Sequence, residues 1–203
     1  MWISDRNSKV ADSTLPRRPE WLDESLCQLL PDDADELLVR FSTYWLELRG
    51  EAVAPAYRDI DPVAMPWALS SIFIMERPPE GPFVYRLCGE QMRSRLGPNL
   101  RGKSAFDVFE KGYAEWTEAR WRKAADEMLA SYVDTTHETA GGRVVRAQRI
   151  LFPALRDSGA ADFLVGVTAF SAPVLRPGWG PDNEVMRSVR WTRLADLPGP
   201  RGS

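Results

Sequence analysis

The chain has 203 residues, a net charge of −3 and 44% hydrophobic residues, which is the size and composition of one globular domain with extensions. Its 26 lysines and arginines are spread along the chain, so nothing in the charge pattern favours a nucleic-acid-binding protein. His137 is the only histidine, which excludes metal sites built from several histidines.

The cysteines and the N-terminal residues indicate a compartment. Cys27 and Cys88 are far apart and form no CxxC motif, and two such thiols are typical of proteins in a reducing cytoplasm. The first residues, MWISDRNSKVADS, lack the apolar stretch of a signal peptide. No run approaches the roughly 18 apolar residues of a membrane span. We therefore expect a cytoplasmic protein without a membrane span.

The first 32 residues are punctuated by prolines. Trp21, Leu22 and Leu26 can form one short amphipathic turn. We interpret residues 1–32 as an N-terminal arm that docks on the domain or on a partner.

The strongest helix signal covers residues 32–50. Asp32 or Asp33 can cap the helix, acidic residues fill its first turn, and Gly50 follows its last turn. Its apolar residues recur at steps of three and four and form one face: Leu37, Leu38, Phe41, Tyr44, Trp45 and Leu48. Such a face predicts packing on a core, with a dimerisation helix as the alternative.

Two strands follow, SIFIME (71–76) and GPFVYRLCG (81–89), and the short Pro/Gly turn between them predicts a hairpin. Alternation along the second strand places Tyr85 and Leu87 on one face and Cys88 on the other. After a middle segment of short helical pieces, residues 113–133 predict a long helix with one apolar stripe.

Three further strands complete the predicted fold, and their turn residues favour an antiparallel meander. They cover residues 132–140, 144–155 and 162–172, with a turn at Gly141 and Gly142. The order of elements predicts an α+β fold, in which an antiparallel five-stranded sheet has helices packed on one face, plus an N-terminal helix. We divide the chain into the arm (1–32), a domain (33–172) and a partly ordered C-terminal tail (173–203).

The octapeptide GPNLRGKS (97–104) matches the phosphate-binding loop of P-loop nucleotidases letter for letter. The preceding EQMRSRL (90–96) is charged and favours a surface helix, whereas a P-loop follows a buried strand. The sequence also predicts no parallel βαβ unit. We interpret the glycines as turn residues; anion binding by Arg101 and Lys103, or true nucleotide binding, remain minor alternatives.

A set of short motifs, taken in order, resembles the PAS-type sensory domain over about residues 40–171. The motifs are YWLELRG (44–50), DIDP (59–62), IFIME (72–76), YRLCGEQM (85–92), Gly97, Leu100, Gly102, Phe109 and RILFP (149–153). More narrowly, they are similar to short PAS-like proteins found mostly in alphaproteobacteria. The resemblance implies a sheet curved around a small cavity and a sensory or interaction module without catalytic activity. The arm and the tail extend beyond the resemblance.

PAS domains hold haem, flavin, small metabolites or nothing, and the residues here disfavour the first two. Haem needs an axial ligand, and His137 falls on a polar predicted strand, where we expect it to be exposed. A photoactive flavin needs a reactive cysteine in a helical motif, whereas Cys88 lies in a predicted strand and is expected to pack. Haem, photoactive flavin and metal are therefore unfavoured, and the cofactor, if there is one, stays unknown.

The resemblance also predicts which residues would line a ligand cavity. They are Tyr85, Leu87, Met92, Leu96, Phe106, Phe109, Trp121, Arg149 and Leu151. A buried Arg149 needs an anionic partner, either a ligand carboxylate or a protein carboxylate such as Glu90. We favour a filled core with an internal salt bridge over a bound ligand.

These observations predict a non-catalytic cytoplasmic signalling module that acts through a partner protein or a homodimer, with any ligand small and apolar to anionic. The arm, the first helix, Trp179 and Trp191 are candidate contact surfaces, and the alternative for the two tryptophans is packing back onto the domain. The alternative is a small α+β enzyme or carrier that uses the same cavity. Its acid–base candidates would be Glu90, Asp107 and Tyr85.

Overall fold

A computed structural model describes residues 19–138, 142, 144–172 and 184–200. Within these residues the α-helices are α1 (Glu20–Leu29), α2 (Glu36–Arg49), α3 (Glu90–Leu96), α4 (Ala105–Val108) and α5 (Lys111–Asp126). The strands are β1 (Ile72–Glu76), β2 (Val84–Cys88), β3 (Leu129–Glu138), β4 (Val144–Ala154), β5 (Phe163–Phe170) and β6 (Glu184–Arg193). Trp179, the first part of the arm and one glycine of the predicted Gly141–Gly142 turn lie outside the described residues.

The described strands form one antiparallel sheet in the order β2-β1-β5-β4-β3-β6. The α+β class, the β1–β2 hairpin and the β3–β4–β5 meander are confirmed. The sheet has six strands where the sequence predicted five, because β6 pairs with β3. Residues of β6 belong to the segment that we had assigned to the C-terminal tail.

Helices cover both faces of the sheet, because alternate strand residues point to opposite sides. On one face α1 and α2 pack against the sheet and form what we call the α2-side core, in which Trp45 stacks on Phe152 with ring centroids 4.5 Å apart. On the other face α3, α4 and α5 share the cavity-side core, which contains these sheet residues: Phe73, Met75, Tyr85, Leu151 and Leu164. The helices of the middle segment thus share one face, and the N-terminal helix takes the other.

The cap of α2 differs from the prediction. Asp35, not Asp32 or Asp33, is the N-cap, and its side chain accepts a hydrogen bond from the amide of Leu37 at 2.9 Å. Its own amide donates to Oε1 of Gln148 on β4 at 2.7 Å. The long-range contact to the sheet therefore selects which aspartate begins the helix. Gly50 ends α2 as predicted, with a φ of 56°.

Helix α5 ends at Asp126, seven residues before the predicted end at 133, since β3 begins at Leu129. Met128, which lies inside the predicted helix, turns the chain with a φ of 52°. Leu129 pairs with Arg193 of β6, and the carbonyl of Met128 accepts from the amide of Leu194 at 3.1 Å. This pairing overrides the local helix pattern.

Helix α1, near the start of the described chain, contacts residues near its end. Leu22, Leu26 and Leu29 are buried on one side of it, and the hydroxyl of Ser25 donates to the carbonyl of Pro198 at 3.1 Å. The guanidinium of Arg49 on α2 donates to the carbonyls of Leu194 and Leu197, each at 3.0 Å.

Every described helix is too short or too polar to cross a bilayer.

Gly166 on β5 provides a test of how tightly the sheet packs. A Cβ atom added there would lie 2.6 Å from Cζ of Phe73 and would also meet the carbonyl of Ile150. Overpacking of this kind costs about 2 kcal/mol, so we expect Gly166→Ala to lower the free energy of unfolding by that amount in urea denaturation followed by circular dichroism. At Gly112 on α5 an added Cβ meets only Oε1 of Glu110 at 3.5 Å. Gly112→Ala should leave stability equal or slightly higher, and equal losses in the two variants would contradict this packing.

Candidate functional site

A cavity of about 40 Å³ lies between α5, α3 and the sheet. Its lining residues are Phe73, Tyr85, Met92, Leu96, Phe109, Tyr113, Trp116, Thr117, Arg120, Trp121, Val133, Arg149 and Glu184. One water molecule needs roughly 10–15 Å³ of cavity volume. The cavity therefore accommodates roughly three waters or a very small organic molecule.

Helix α5 supplies the largest share of the wall. The five residues that it contributes are Tyr113, Trp116, Thr117, Arg120 and Trp121. They recur at steps of three and four, which places them on one face of the helix. The sheet opposite contributes alternate residues, such as Val133 on β3 and Arg149 on β4, which are directly paired.

A buried ion pair forms one wall of the cavity. Nη2 of Arg149 lies 2.7 Å from Oε1 of Glu184, and only 11% and 2% of the two side chains are exposed. The same carboxylate accepts hydrogen bonds from the hydroxyls of Thr135 and Tyr113, and Arg149 also donates to Thr135 at 3.1 Å. The protein partner of Arg149 is therefore Glu184 and not Glu90, which pairs with Arg93 on the surface.

The electrostatics of this cluster keep the ion pair charged. Burial alone would raise the pKa of Glu184, but the charge of Arg149 and the donated hydrogen bonds hold that pKa below its usual value. Burial alone would lower the pKa of Arg149. The interactions of its guanidinium with Glu184 and Tyr113 outweigh this effect and raise that pKa. Burial raises the pKa of Tyr113 to about 12, so the tyrosine stays neutral and acts as a donor.

Arg120 is a second buried guanidinium, and it has a different environment. The residue is 8% exposed, its Nη1 donates to the hydroxyl of Ser131 at 3.3 Å, and its Cζ lies 5.2 Å from the ring centroid of Trp116. Within the described part of the chain its Nε has no hydrogen-bond partner and it forms no ion pair. Burial lowers the pKa of Arg120 to about 10, so it still carries its charge at neutral pH.

Two neighbours of Arg120 on the same face of α5 are also unsatisfied. Oγ1 of Thr117 and Nε1 of Trp121 are buried and have no hydrogen-bond partner among the described residues, and each residue is 3% exposed. A buried polar group without a partner costs about 1–3 kcal/mol. Three such groups on residues that line one cavity suit a guest that accepts hydrogen bonds.

The sequence-predicted lining residues divide into two groups. Tyr85, Met92, Leu96, Phe109, Trp121 and Arg149 line the cavity, and Leu151 is buried in the cavity-side core behind them. The structure places Leu87 and Phe106 elsewhere. Leu87 packs on the α2-side core, and Phe106 on the short helix α4 is 49% exposed.

An irregularity in β2 explains the position of Leu87. Ile74 pairs with Leu87 while the next residue, Met75, pairs with Tyr85, so Arg86 is an extra residue in the strand. Such a bulge shifts the alternation of side chains by one. Tyr85 therefore shares the cavity-side core with Cys88 and not with Leu87.

Seven lining residues were not predicted from the sequence: Phe73, Tyr113, Trp116, Thr117, Arg120, Val133 and Glu184. The steps of three and four from 113 to 121 were a usable signal for the four that lie on α5. Glu184 had no local signal, since it belongs to the segment predicted as a tail. His137 is on β3 as expected but is 6% exposed, because β4 and β6 flank it.

The loop 97–104 is not arranged as a phosphate cradle. The amide of Gly102 donates to the carbonyl of Tyr85 at 2.7 Å, and the amide of Tyr85 donates to the carbonyl of Lys103 at 2.9 Å. The amide and hydroxyl of Ser104 both donate to Asp107, at 2.8 and 2.6 Å, which caps the four-residue helix α4. These groups bind the protein itself, while Arg101 and Lys103 are exposed.

The acid–base candidates do not converge on one place. Glu90 pairs with Arg93, Asp107 caps α4, and burial raises the pKa of Tyr85. Burial also raises the pKa of Cys88 to about 12, which disfavours a reactive thiolate. No group of three or more potential metal ligands from His, Cys, Asp and Glu occurs among the residues that the structure describes.

A family model described as PAS domain matches residues 35–169, a range that begins at the cap of α2 and ends in β5. No curated protein matched the chain.

Solved structures give weaker similarities. VqmA bound to DPO has 9% identity and a TM-score of 0.42, over 55% of this chain and 56% of that chain. The light state of the blue-light photoreceptor Aureochrome1 LOV has 15% identity and a TM-score of 0.36, over 54% of this chain and 87% of that chain. A variant of RsLOV has 16% identity and a TM-score of 0.37, over 53% of this chain and 64% of that chain. The chain therefore spans about half the length of the VqmA chain.

The Arg149–Glu184 pair yields a prediction about stability. Removing one partner leaves a buried charge without compensation, which costs about 3 kcal/mol. We expect Glu184→Gln and Arg149→Met each to lower the free energy of unfolding by that amount at pH 7, measured by urea denaturation. The double variant Arg149→Met/Glu184→Leu should lose less than the sum of the single variants. Additive losses would show that the pair is not coupled.

The same carboxylate predicts a pH dependence. The pKa of Glu184 is lowered from 4.5 in the folded protein, where Arg149, Tyr113 and Thr135 face it. Its stabilising contribution is therefore complete above pH 4.5 and disappears as the pH falls through the lower folded pKa. The stability difference between the unmodified protein and Glu184→Gln should shrink towards zero in acid. A difference that stays constant from pH 7 to pH 3 would contradict the assignment.

Proposed function

Because the chain belongs to the PAS domain family, we propose that it is a sensory module that binds a small molecule in the cavity between α5 and the sheet, without catalysing a reaction on it. One observation supports this proposal: three residues of α5 that line the cavity carry buried polar atoms with no hydrogen-bond partner within the described residues. Cavities with a mainly apolar wall and a few convergent polar groups are the usual form of ligand sites.

The size of the cavity limits the guest. Sites for drug-sized ligands and large cofactors occupy roughly 300–1,000 Å³, whereas this cavity has about 40 Å³. A haem or a flavin would require extensive rearrangement of α3 and α5. We propose that the guest contacts the six sequence-predicted lining residues together with Thr117 and Arg120.

A route for output follows from the position of β6. Glu184, its first residue, binds Arg149 in the cavity wall, while residues just beyond its last residue are held by Arg49 of α2 and Ser25 of α1. We propose that a guest bound beside Glu184 shifts this wall of the cavity and thereby changes the position of β6 and of α1. The signal would then reach other molecules through these elements.

The exposed edge of the sheet supports output by association. Strand β6 is the last strand of the described sheet and exposes Val185 and Met186 by 63% and 40%. An edge strand with exposed apolar residues is a template for pairing with another chain. We propose that a partner protein or a second copy binds here, in the cytoplasm, where the unpaired thiols of Cys27 and Cys88 would stay reduced.

Ligand binding is testable with cavity-filling variants. Val133→Leu adds one methylene group at the wall of a cavity that has room only for a small guest, so we expect it to weaken or abolish binding of small molecules. Native mass spectrometry of the purified protein, followed by ligand-observed NMR with a set of small metabolites, measures this. Val144→Leu is the matched control, because Val144 is 60% exposed. Identical responses of the two variants would contradict a ligand site in this cavity.

Association is testable at the sheet edge. We expect the double variant Val185→Lys/Met186→Lys to reduce homodimerisation or partner binding at least several-fold, since charge at an edge strand opposes pairing. Val63→Lys is the control, because Val63 is 78% exposed and lies in a 3₁₀ turn outside the sheet. Native mass spectrometry gives the oligomeric state. Equal association of both variants would exclude β6 as the output surface.

A further inference from the structure

The charges in the cavity wall do not balance. Two of the lining residues are arginines, Arg120 and Arg149, and one is an acid, Glu184. Arg149 and Glu184 compensate each other at 2.7 Å, whereas Arg120 has no ion pair within the described residues. The wall therefore carries one uncompensated positive charge, and a guest with a single negative charge would neutralise it.

The unsatisfied hydrogen-bonding groups have a common chemistry. Nε of Arg120 and Nε1 of Trp121 can only donate, and the hydroxyl of Thr117 can donate as well. The three residues are neighbours on one face of α5. Their complement is a group that only accepts hydrogen bonds, and an ionised carboxylate is such a group.

Part of the remaining wall is apolar, and the space is small. Phe73, Met92, Leu96 and Phe109 line this apolar part of the cavity, which holds a volume of roughly three waters. A carboxylate with a chain of one or two further carbons matches this volume. A dianion such as sulfate would bring more negative charge than the one uncompensated positive charge of the wall. A neutral molecule would leave Arg120 uncompensated.

We propose that the cavity binds a short-chain aliphatic monocarboxylate, with its carboxylate on Arg120 and its alkyl group against the apolar wall. This assignment rests on the sensory function proposed above and specifies the class of its ligand. Arg120 supplies the charge, Thr117 and Trp121 supply further donors, and the Arg149–Glu184 pair stays intact beside the guest.

Isothermal titration calorimetry with sodium propionate and sodium acetate, at constant ionic strength, tests the proposal. We expect saturable binding of at least one of the two acids. Propionamide, a neutral molecule of the same shape, should bind about tenfold more weakly or worse, because it leaves the guanidinium without a counter-charge. Sodium chloride serves as the control for an unspecific monoanion.

The variant Arg120→Met separates a ligand-binding arginine from a structural one. Since the buried guanidinium lacks an anionic partner, its replacement should maintain or raise the melting temperature without ligand. Propionate affinity should fall about tenfold or more. Arg122→Met is the matched control, because Arg122 lies on the same helix with a side chain 44% exposed; it should keep full affinity. Thr117→Val, which retains shape, should weaken binding several-fold.

Three results would overturn the carboxylate assignment: no binding of either acid, equal binding of propionate and propionamide or of propionate and chloride, or unchanged affinity in Arg120→Met. The outcome of the Val133→Leu experiment distinguishes these failures from a failure of the sensory function. If a neutral metabolite binds and Val133→Leu abolishes its binding, the sensory site stands and only its carboxylate ligand is wrong. If filling the cavity affects no guest, both proposals fail.

Discussion

A single buried ion pair, between Arg149 and Glu184, connects four elements of this protein. Arg149 is on β4 and Glu184 is on β6, and β3 lies between these strands. Thr135 of β3 binds both partners, and Tyr113 of α5 binds the carboxylate. A buried pair is stable only when its remaining donors and acceptors are satisfied. The position of β6 and the packing of α5 over the sheet therefore depend on each other.

That constraint also determines the chemistry of the cavity. Glu184 accepts hydrogen bonds from Arg149, Thr135 and Tyr113, and within the described residues no salt bridge joins it to Arg120. The protein thus keeps a second buried guanidinium whose charge is not balanced by the described residues. Buried polar groups are normally satisfied, and natural proteins depart from such rules mainly at functional sites. Tyr113, which binds the ion pair, and Arg120, to which we assign the proposed ligand, lie on one face of α5.

Much of the fold could be predicted because its signals are local. Periodicity and turn residues indicated α2, the β1–β2 hairpin and the β3–β4–β5 meander, all of which are present. Six of the nine predicted lining residues border the cavity, since strand parity and helix faces follow from the sequence. Leu87 was misplaced because a single extra residue at Arg86 reverses the parity of β2, and a bulge of this kind leaves no clear pattern in one sequence.

The sequence alone determined the helices and strands of the domain, the motif order of the PAS family and the weakness of the GPNLRGKS match, because each depends on residues close together in the chain. Tertiary structure alone decided where α5 ends, which aspartate caps α2 and which carboxylate faces Arg149. The end of α5 and the partner of Arg149 depend on the pairing of β3 with β6, whose paired residues are 47 to 64 positions apart. The cap of α2 depends on the contact between Asp35 and Gln148 on β4. Burial then makes the identity of each polar partner important, because only a group removed from water needs a specific partner.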